Sequence, residues 1–416
     1  MMLLLAATAH SRDRTLPPWS HGAVLPSWAR SVHIVNREEP LFVSASGKAK
    51  RRGSAGAGAY LPIFGARRGV GCKGAWLQLG PQAWACSDEV ELSGSMALPP
   101  NQRATAHSDG MPYRYYFVGS DGSFAYKSFQ QVDFGSPAMT LQPGFAVAVS
   151  EQREQDGQRY GLSRRGLWLP MRDLKPAKPS AFRGIELAEI DTGSGIPVAW
   201  VIRQRAATHA LRGKRFVRDG KHQRRFDQLS IHARKQYFGR TMLRIAANRW
   251  IDSRDVRQPT VASVPSEVAV SENERWIDVH LASQTLVAYE GEKPVFATLV
   301  STGRGKTPGH PSATPKGVHR IWVKLLSSVM DNLEDDAASN YYRIEDVPYV
   351  QYFAKGVGLH AAFWHRSFGQ VRSHGCVNLA PLDARRLFWW TRPHLPSGWT
   401  ASLPTAYDKG TIVVVR

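Results

Sequence analysis

The sequence predicts a mainly β protein, with small β-barrels in its first two thirds and a β-rich domain at its C-terminal end. Three observations support this fold class: the 36 glycines and 26 prolines, the short alternating apolar runs, and a tryptophan pattern that recurs along the chain. Frequent Gly and Pro favour turns between short strands over long helices. A chain of 416 residues is also too long for one hydrophobic core, so several domains are expected.

The recurring pattern consists of two short apolar segments joined by a polar or glycine-rich turn. In each copy a large apolar residue precedes a Trp by eight positions, and an Asp follows that Trp within five residues. The three pairs are Trp76 and Trp84, Tyr160 and Trp168, and Met242 and Trp250. Near-equal spacing predicts three related small domains, each with a hairpin whose Trp fills a core. The pattern resembles bacterial SH3-like modules found beside cell-envelope enzymes, most clearly at 144–174, which implies three SH3-like β-barrels in tandem.

Changes in composition predict the domain boundaries. They are a leader at 1–28, barrels at 29–93, 112–180 and 181–260, a linker at 94–111, and a C-terminal domain at 273–416. We expect the C-terminal domain to keep its chemistry when residues 1–260 are deleted, and the barrels to bind the cell wall.

The charge of the chain bears on its partners. The formal net charge is +20, and most of the basic excess lies before residue 273. The basic residues are scattered and form no stripe, so an anionic surface is expected as a partner and nucleic acid is not. Their densest cluster, at 48–52, lies in a Gly/Ser/Ala-rich stretch that predicts a flexible loop. No apolar run approaches the length of a membrane-spanning helix.

Two features concern the cellular compartment. The first ten residues, MMLLLAATAH, contain a short apolar run and an Ala-Thr-Ala triplet typical of a signal-peptidase site, although no basic residue precedes them. Cys72 and Cys86 flank a segment that predicts a hairpin centred on residues 80–81, which makes a disulfide geometrically possible. Two buried free thiols are the alternative. We expect export to the periplasm or cell envelope.

The C-terminal domain begins where the pattern changes to longer alternating runs. Residues 275–303 predict three consecutive strands, 314–322 a turn entering a strand, and 347–360 a strand pair ending at His360. Residues 381–391 predict a short helix, and 410–416 a buried final strand.

The segment RSHGCVNL places the third cysteine, Cys376, in a glycine-containing loop. A thiol near its ordinary pKa needs a base or an imidazolium to become a nucleophile, and His360, His365 and His374 are close in sequence. A zinc site from these four residues is disfavoured because their spacing is unusual for zinc. No metal or cofactor is expected.

The run LHAAFWHRSFGQVRSHGCVNL resembles the L,D-transpeptidase (YkuD-like) catalytic domain, in which twelve residues separate a His from the motif Ser-His-Gly-Cys-x-Asn. The resemblance covers about residues 273–416. It implies that Cys376 is the acylated nucleophile, that His360 is its general base and later acid, and that Arg372 holds a substrate carboxylate. Ala361 stands where many relatives have Gly, so a main-chain carbonyl must orient His360.

The resemblance also implies roles for the loop around the cysteine. Backbone N–H groups of His374, Gly375 and Cys376 would hold the developing oxyanion, as expected where a Gly lets the backbone approach a substrate closely. Ser373 and Asn378 would shape the loop.

The implied reaction is acyl transfer on peptidoglycan stem peptides, which forms 3→3 cross-links through a cysteinyl thioester. An L,D-carboxypeptidase, in which water takes the acyl group, uses the same site. A third hypothesis is a wall-binding protein whose catalytic domain has lost its activity. The family's thiol also reacts with carbapenems, which offers a probe.

Overall fold

The structure is a computed structural model that describes residues 25–36, 38–97, 107–193, 195–270, 273–305, 310, 312–331 and 342–416. Most of the predicted leader and the middle of the predicted linker lie outside these residues. The described residues form mainly short strands, as predicted. Within them, no helix is long and apolar enough to cross a membrane. The chain divides into two compact units.

The first unit comprises residues up to 103 together with 395–403. Its strands are Ser31–His33, Glu38–Phe42, Arg51–Gly56, Tyr60–Pro62, Gly65–Arg67, Trp76–Gly80, Ala83–Cys86, Glu91–Ser93 and Trp399–Ser402. The last of these comes from the C-terminal part of the chain and pairs antiparallel with Arg51–Gly56. Cys72 and Cys86 are joined by a disulfide, with their Cα atoms 5.5 Å apart.

The expectation of a flexible loop around residues 48–52 is wrong for Arg51 and Arg52, whereas residues 47–50 form a turn. Residues 51–56 form a strand, and the Arg52 side chain is buried in the first unit. Its guanidinium donates to the Ser402 hydroxyl at 2.8 Å and to the Leu403 carbonyl, and it lies over the Trp399 ring. Small residues at 53–55 allow this close strand pairing, because a Cβ on Gly53 would meet the Ala401 carbonyl. The Gly/Ser/Ala composition therefore reflects close packing.

The second unit begins with the region from Met111 to Ala177. Its strands are Arg114–Val118, Ser123–Ala125, Met139–Leu141, Ala146–Gln155, Gln158–Ser163, Trp168–Pro170 and Leu174–Pro176, with a helix at Phe129–Asp133 and a 3₁₀ turn at Met171–Asp173. We call this region the second domain.

The next region, from Ile185 to Arg257, is called the third domain. Its strands are Ile185–Glu186, Val198–Val201, Arg205–Arg212, Arg215–Arg224, Gln228–Ser230, Ala233–Tyr237, Arg240–Ala246, Arg249–Asp252 and Val256–Arg257, with a 3₁₀ turn at Ser253–Asp255.

The three predicted tryptophan hairpins are present. Antiparallel pairing joins Trp76–Gly80 to Ala83–Cys86, Gln158–Ser163 to Trp168–Pro170, and Arg240–Ala246 to Arg249–Asp252. The tryptophan at the second strand of each hairpin is buried. The assignment of these domains to SH3-like barrels stays a prediction.

In its described residues, the C-terminal domain has one succession of hydrogen-bonded strands and one helix, Pro381–Trp390. In order of pairing, the strands are Gly317–Arg320, Ile412–Val415, Arg275–His280, Thr285–Glu290, Lys293–Ser301, Val377–Leu379, Val357–Ala361, Arg343–Ala354 and Val323–Asp331. Proline at the first helical position and Asp383 in the first turn favour the start of the helix.

The second and third domains share hydrophobic cores with the C-terminal domain. Trp200 of the third domain belongs to the same buried cluster as Trp276 and Phe368. Tyr115 and Ala146 of the second domain belong to a cluster with Val350 and Phe363. These shared cores oppose the expectation that the C-terminal domain functions without residues 1–260, because deletion would expose them to water.

Candidate active site

His360 and Cys376 are brought together by two neighbouring parallel strands. His360 pairs in register with Asn378, and Leu359 pairs with Val377. Cys376 directly precedes the strand Val377–Leu379, so it lies next to the paired residues Leu359 and Val377. Both the imidazole and the thiol line one cavity of about 650 Å³.

The His360 ring is held in one tautomer. Its Nδ1–H donates to the main-chain carbonyl of Ala361 at 3.0 Å, which leaves Nε2 as a proton acceptor. The Trp364 ring stacks on it with centroids 5.7 Å apart. His360 is only 2% exposed, and burial lowers its pKa to about 4, so the imidazole is neutral at pH 7.

Cys376 is half-buried and is the free cysteine of the described residues. Burial raises the pKa of its thiol, and the N–H of Gly358 opposes this by bonding to the sulfur. The thiol lies 3.8 Å from the Gly356 carbonyl. At neutral pH the resting pair is therefore a thiol and a neutral imidazole, which differs from a preformed thiolate beside an imidazolium.

The loop before Cys376 is fixed by hydrogen bonds to its own backbone. The Ser373 hydroxyl donates to the Cys376 carbonyl and accepts the N–H of Gly375 at 3.1 Å. The Thr314 hydroxyl donates to the Gly375 carbonyl at 2.7 Å. Gly375 has φ of 129°, a conformation that favours glycine. Of the three N–H groups expected to hold an oxyanion, that of Gly375 is already bonded within the loop.

His365 and Asn378 form a buried pair behind the loop. His365 Nδ1 accepts the N–H of Ser367 at 3.1 Å, so the neutral ring carries its proton on Nε2. The Asn378 amide lies 3.0 Å from Nε2, and this proton assigns the amide oxygen to that position. Burial lowers the pKa of His365 to about 3. The ring packs against Phe368 with centroids 4.9 Å apart, closer than Trp364 at 6.2 Å.

Two arginines line the cavity, and sequence reasoning identified only Arg372. Arg304 donates its backbone N–H to the Ser373 carbonyl at 2.9 Å, and its guanidinium bonds to Nε2 of His374. The Tyr342 ring stacks on the His374 ring, with centroids 5.9 Å apart. Arg304 directly follows the STG segment, and this position is the signal by which it could have been found.

The cavity also contains residues that lie far away in the sequence. Phe117 and Gly144 of the second domain line it together with Trp364 and Tyr352. Sequence reasoning missed them, because nothing in the local pattern at 112–180 relates this segment to the cysteine loop.

Comparison with known proteins identifies the C-terminal domain. Residues 274–415 match the family model of the YkuD L,D-transpeptidase catalytic domain. No curated protein matches the chain.

Solved structures that resemble part of the chain include three of L,D-transpeptidases from two organisms. A cysteine-to-serine mutant of the Enterococcus faecium enzyme is 25% identical, with 34% of this chain and 50% of that chain covered and a TM-score of 0.26. The catalytic domain of the Enterococcus faecium enzyme, solved by NMR, is 27% identical over 35% of this chain and 98% of that chain, with a TM-score of 0.26. The enzyme from Stackebrandtia nassauensis is 27% identical over 36% of this chain and 61% of that chain, with a TM-score of 0.23. The match spans about half the length of the first of these chains. Residues 274–415 are thus an L,D-transpeptidase catalytic domain of the YkuD family.

Proposed function

We propose that this protein is a peptidoglycan L,D-transpeptidase that forms 3→3 cross-links through a thioester on Cys376. The observation that carries the proposal is that one cavity contains both a neutral, tautomer-fixed His360 and a protonated Cys376. A neutral imidazole with a free Nε2 is equipped to accept the thiol proton at the moment of attack.

In the first half-reaction His360 Nε2 takes the proton from Cys376 as its sulfur bonds to the carbonyl carbon of the third stem residue. The carbonyl π electrons move to the oxygen, and the backbone N–H groups of His374 and Cys376 stabilise the negative charge. Collapse of this intermediate breaks the C–N bond, and His360 returns its proton to the departing D-Ala amine.

In the second half-reaction the side-chain amine of a neighbouring stem attacks the thioester. His360 takes a proton from this amine, the new amide bond forms, and the C–S bond breaks to regenerate the Cys376 thiol. If water attacks instead, the product is a tripeptide and the enzyme acts as an L,D-carboxypeptidase. The ordered loop, the oriented base and the roomy cavity favour an active enzyme over a silent wall-binding protein.

The charges of the cleft fit a stem peptide, whose backbone carries free carboxylates. Arg372 and Arg304 both line the cavity, and a guanidinium binds a carboxylate through two parallel hydrogen bonds. Arg304 also bonds to His374. A carboxylate bound by Arg304 would therefore influence the position of the loop that holds the oxyanion. The expected location is the cell envelope, where the net charge of +20 favours attraction to an anionic wall.

The proposal is tested with intact-mass spectrometry and product analysis. Wild-type protein should gain one carbapenem adduct and convert a disaccharide-tetrapeptide into cross-linked dimer, with tripeptide measured separately. Cys376→Ala should lose both. His360→Ala should lower turnover by roughly 10²–10⁴-fold, the usual contribution of a general base, while the exposed His222→Ala serves as control. A wild-type protein that neither acylates nor turns over would contradict the proposal, and tripeptide without dimer would favour the carboxypeptidase.

The pH dependence separates a thiol–imidazole pair from a preformed ion pair. Burial lowers the pKa of His360 to about 4, so turnover should persist well below pH 6.5 and fall only as the imidazole becomes protonated. Because burial raises the pKa of Cys376, alkylation by iodoacetamide should be slow at neutral pH and should increase with pH beyond 9. Fast alkylation at pH 6 would instead indicate a thiolate beside an imidazolium.

A further inference from the structure

One wall of the cleft at Cys376 comes from outside the catalytic domain. Phe117 and Gly144, both in the second domain, line the cavity that contains His360 and Cys376. We infer that the second domain is part of the substrate-binding site, and that these two residues contact the acyl-donor stem peptide. This inference rests on the proposed function and adds a binding role for residues of the second domain.

The strand Arg114–Val118 contributes to two hydrophobic cores, one on each of its faces. Tyr116 and Val118 face the core of the second domain itself. Tyr115 and Phe117, on the opposite face, pack in a cluster with residues of the catalytic domain. A strand that is apolar on both faces must be covered on both, so docking of this domain is built into the sequence of the strand.

Specific hydrogen bonds hold this wall in place. The Tyr115 hydroxyl donates to the Asp346 carbonyl at 2.6 Å, and the Tyr349 hydroxyl donates to the Gly110 carbonyl at 2.9 Å. Ala146 pairs with Ile344, which extends the strand pairing across the boundary. These contacts hold the backbone before Phe117 and the neighbouring strand at Ala146, which pairs with Phe117, so the second domain forms a rigid wall and is no loosely tethered module.

The wall continues to the candidate base through a series of aromatic rings. Phe117 lies 5.9 Å from Phe363, Phe363 lies 5.2 Å from Trp364, and Trp364 lies 5.7 Å from His360, all between ring centroids. This apolar side lies in the same cavity as Arg304 and Arg372. The cavity therefore suits a peptide with an aliphatic part and free carboxylates, as in the stem that donates the acyl group.

Gly144 offers a second, independent way to test the wall. It has φ of 80°, and a Cβ at this position would meet no other atom within 4 Å. Asn is the non-glycine residue that best tolerates this conformation, so Gly144→Asn adds a side chain at the cavity without filling packed space. Gly166 has φ of 78° and equally open surroundings, and it does not line the cavity.

The experiment compares Phe117→Ala and Gly144→Asn with the matched controls Phe124→Ala and Gly166→Asn in the full chain. Phe124 lies in the same domain and is 52% exposed. We expect both cleft variants to raise the KM for disaccharide-tetrapeptide by about tenfold, the effect of losing or obstructing part of an aromatic contact. The controls should leave KM unchanged, and alkylation of Cys376 by iodoacetamide should proceed at the wild-type rate in every variant.

The outcomes distinguish this inference from the proposed function. If the wild-type protein does not turn over the tetrapeptide, the proposed function fails. If it does and both cleft variants keep the wild-type KM, the wall makes no contact with substrate and the inference is overturned. An equal rise of KM in the controls would also overturn it, because the effect would then come from general destabilisation. Should Phe117→Ala fail to fold, the result for Gly144→Asn decides.

Discussion

The second and third domains differ from the first unit in what their strands pack against. In the third domain, Ala199 and Val201 face a core of that domain, whereas Trp200 faces the core shared with the catalytic domain. The first unit has a small cluster of its own around Trp76 and is closed by a disulfide and by the strand Trp399–Ser402. Domains built around the same type of hairpin can thus be stabilised in different ways. The hairpin sequence does not show whether a domain has only its own core or also shares one with its neighbour.

The largest expected effect comes from removing one buried tryptophan in each region. Trp200 and Trp76 are both 1% exposed, and truncation to Ala should cost each region about 3–5 kcal/mol. Trp200→Ala should lower the melting temperature of the unit that contains Cys376 and reduce carbapenem acylation at 37 °C. Trp76→Ala should destabilise the first unit and leave acylation near the wild-type rate. Equal loss of acylation in both variants would mean that the two units unfold together.

Breaking the disulfide should have the next largest effect. Cys72→Ser with Cys86→Ser opens a loop of 14 residues, for which chain entropy gives about 3 kcal/mol. The loss should be confined to the first unit and be visible as a shift of one transition in thermal unfolding. Cys376→Ser is the control, and a similar shift there would show that general loss of a sulfur atom causes the effect.

The smallest effect is expected from a single hydroxyl between the second and catalytic domains. Tyr115→Phe leaves the Asp346 carbonyl without its partner and should cost about 1–3 kcal/mol. The neighbouring Tyr116 accepts a bond from the exposed Gln152, so Tyr116→Phe should change stability by less than about 0.5 kcal/mol. Urea unfolding followed by tryptophan fluorescence would measure both. Equal effects would indicate that the Tyr115 bond contributes little to docking.

The expected result of deleting residues 1–260 shows which tertiary contacts the sequence did not predict. Changes in amino-acid composition along the chain predicted that the catalytic domain is independent of the domains before it. The structure instead pairs Ile185–Glu186 with Lys293–Ser301 and covers Phe368 with residues of the third domain. Arg225 also donates to the Phe368 carbonyl, at 3.1 Å. Changes in composition suggest where linkers lie, but they carry no information about which apolar faces meet across them.

The sequence by itself determined the local features: the three tryptophan hairpins, the strands of the C-terminal domain, and the spacing of His360 and Cys376. These features follow from side-chain periodicity and short-range turns, which are encoded within a few residues. Only the tertiary structure decided that the Gly375 N–H is bonded to Ser373, and that Phe117 and Arg304 line the cleft. Each of these features depends on contacts between distant segments or on the exact path of a loop. Local amino-acid composition determines neither the contacts nor the path.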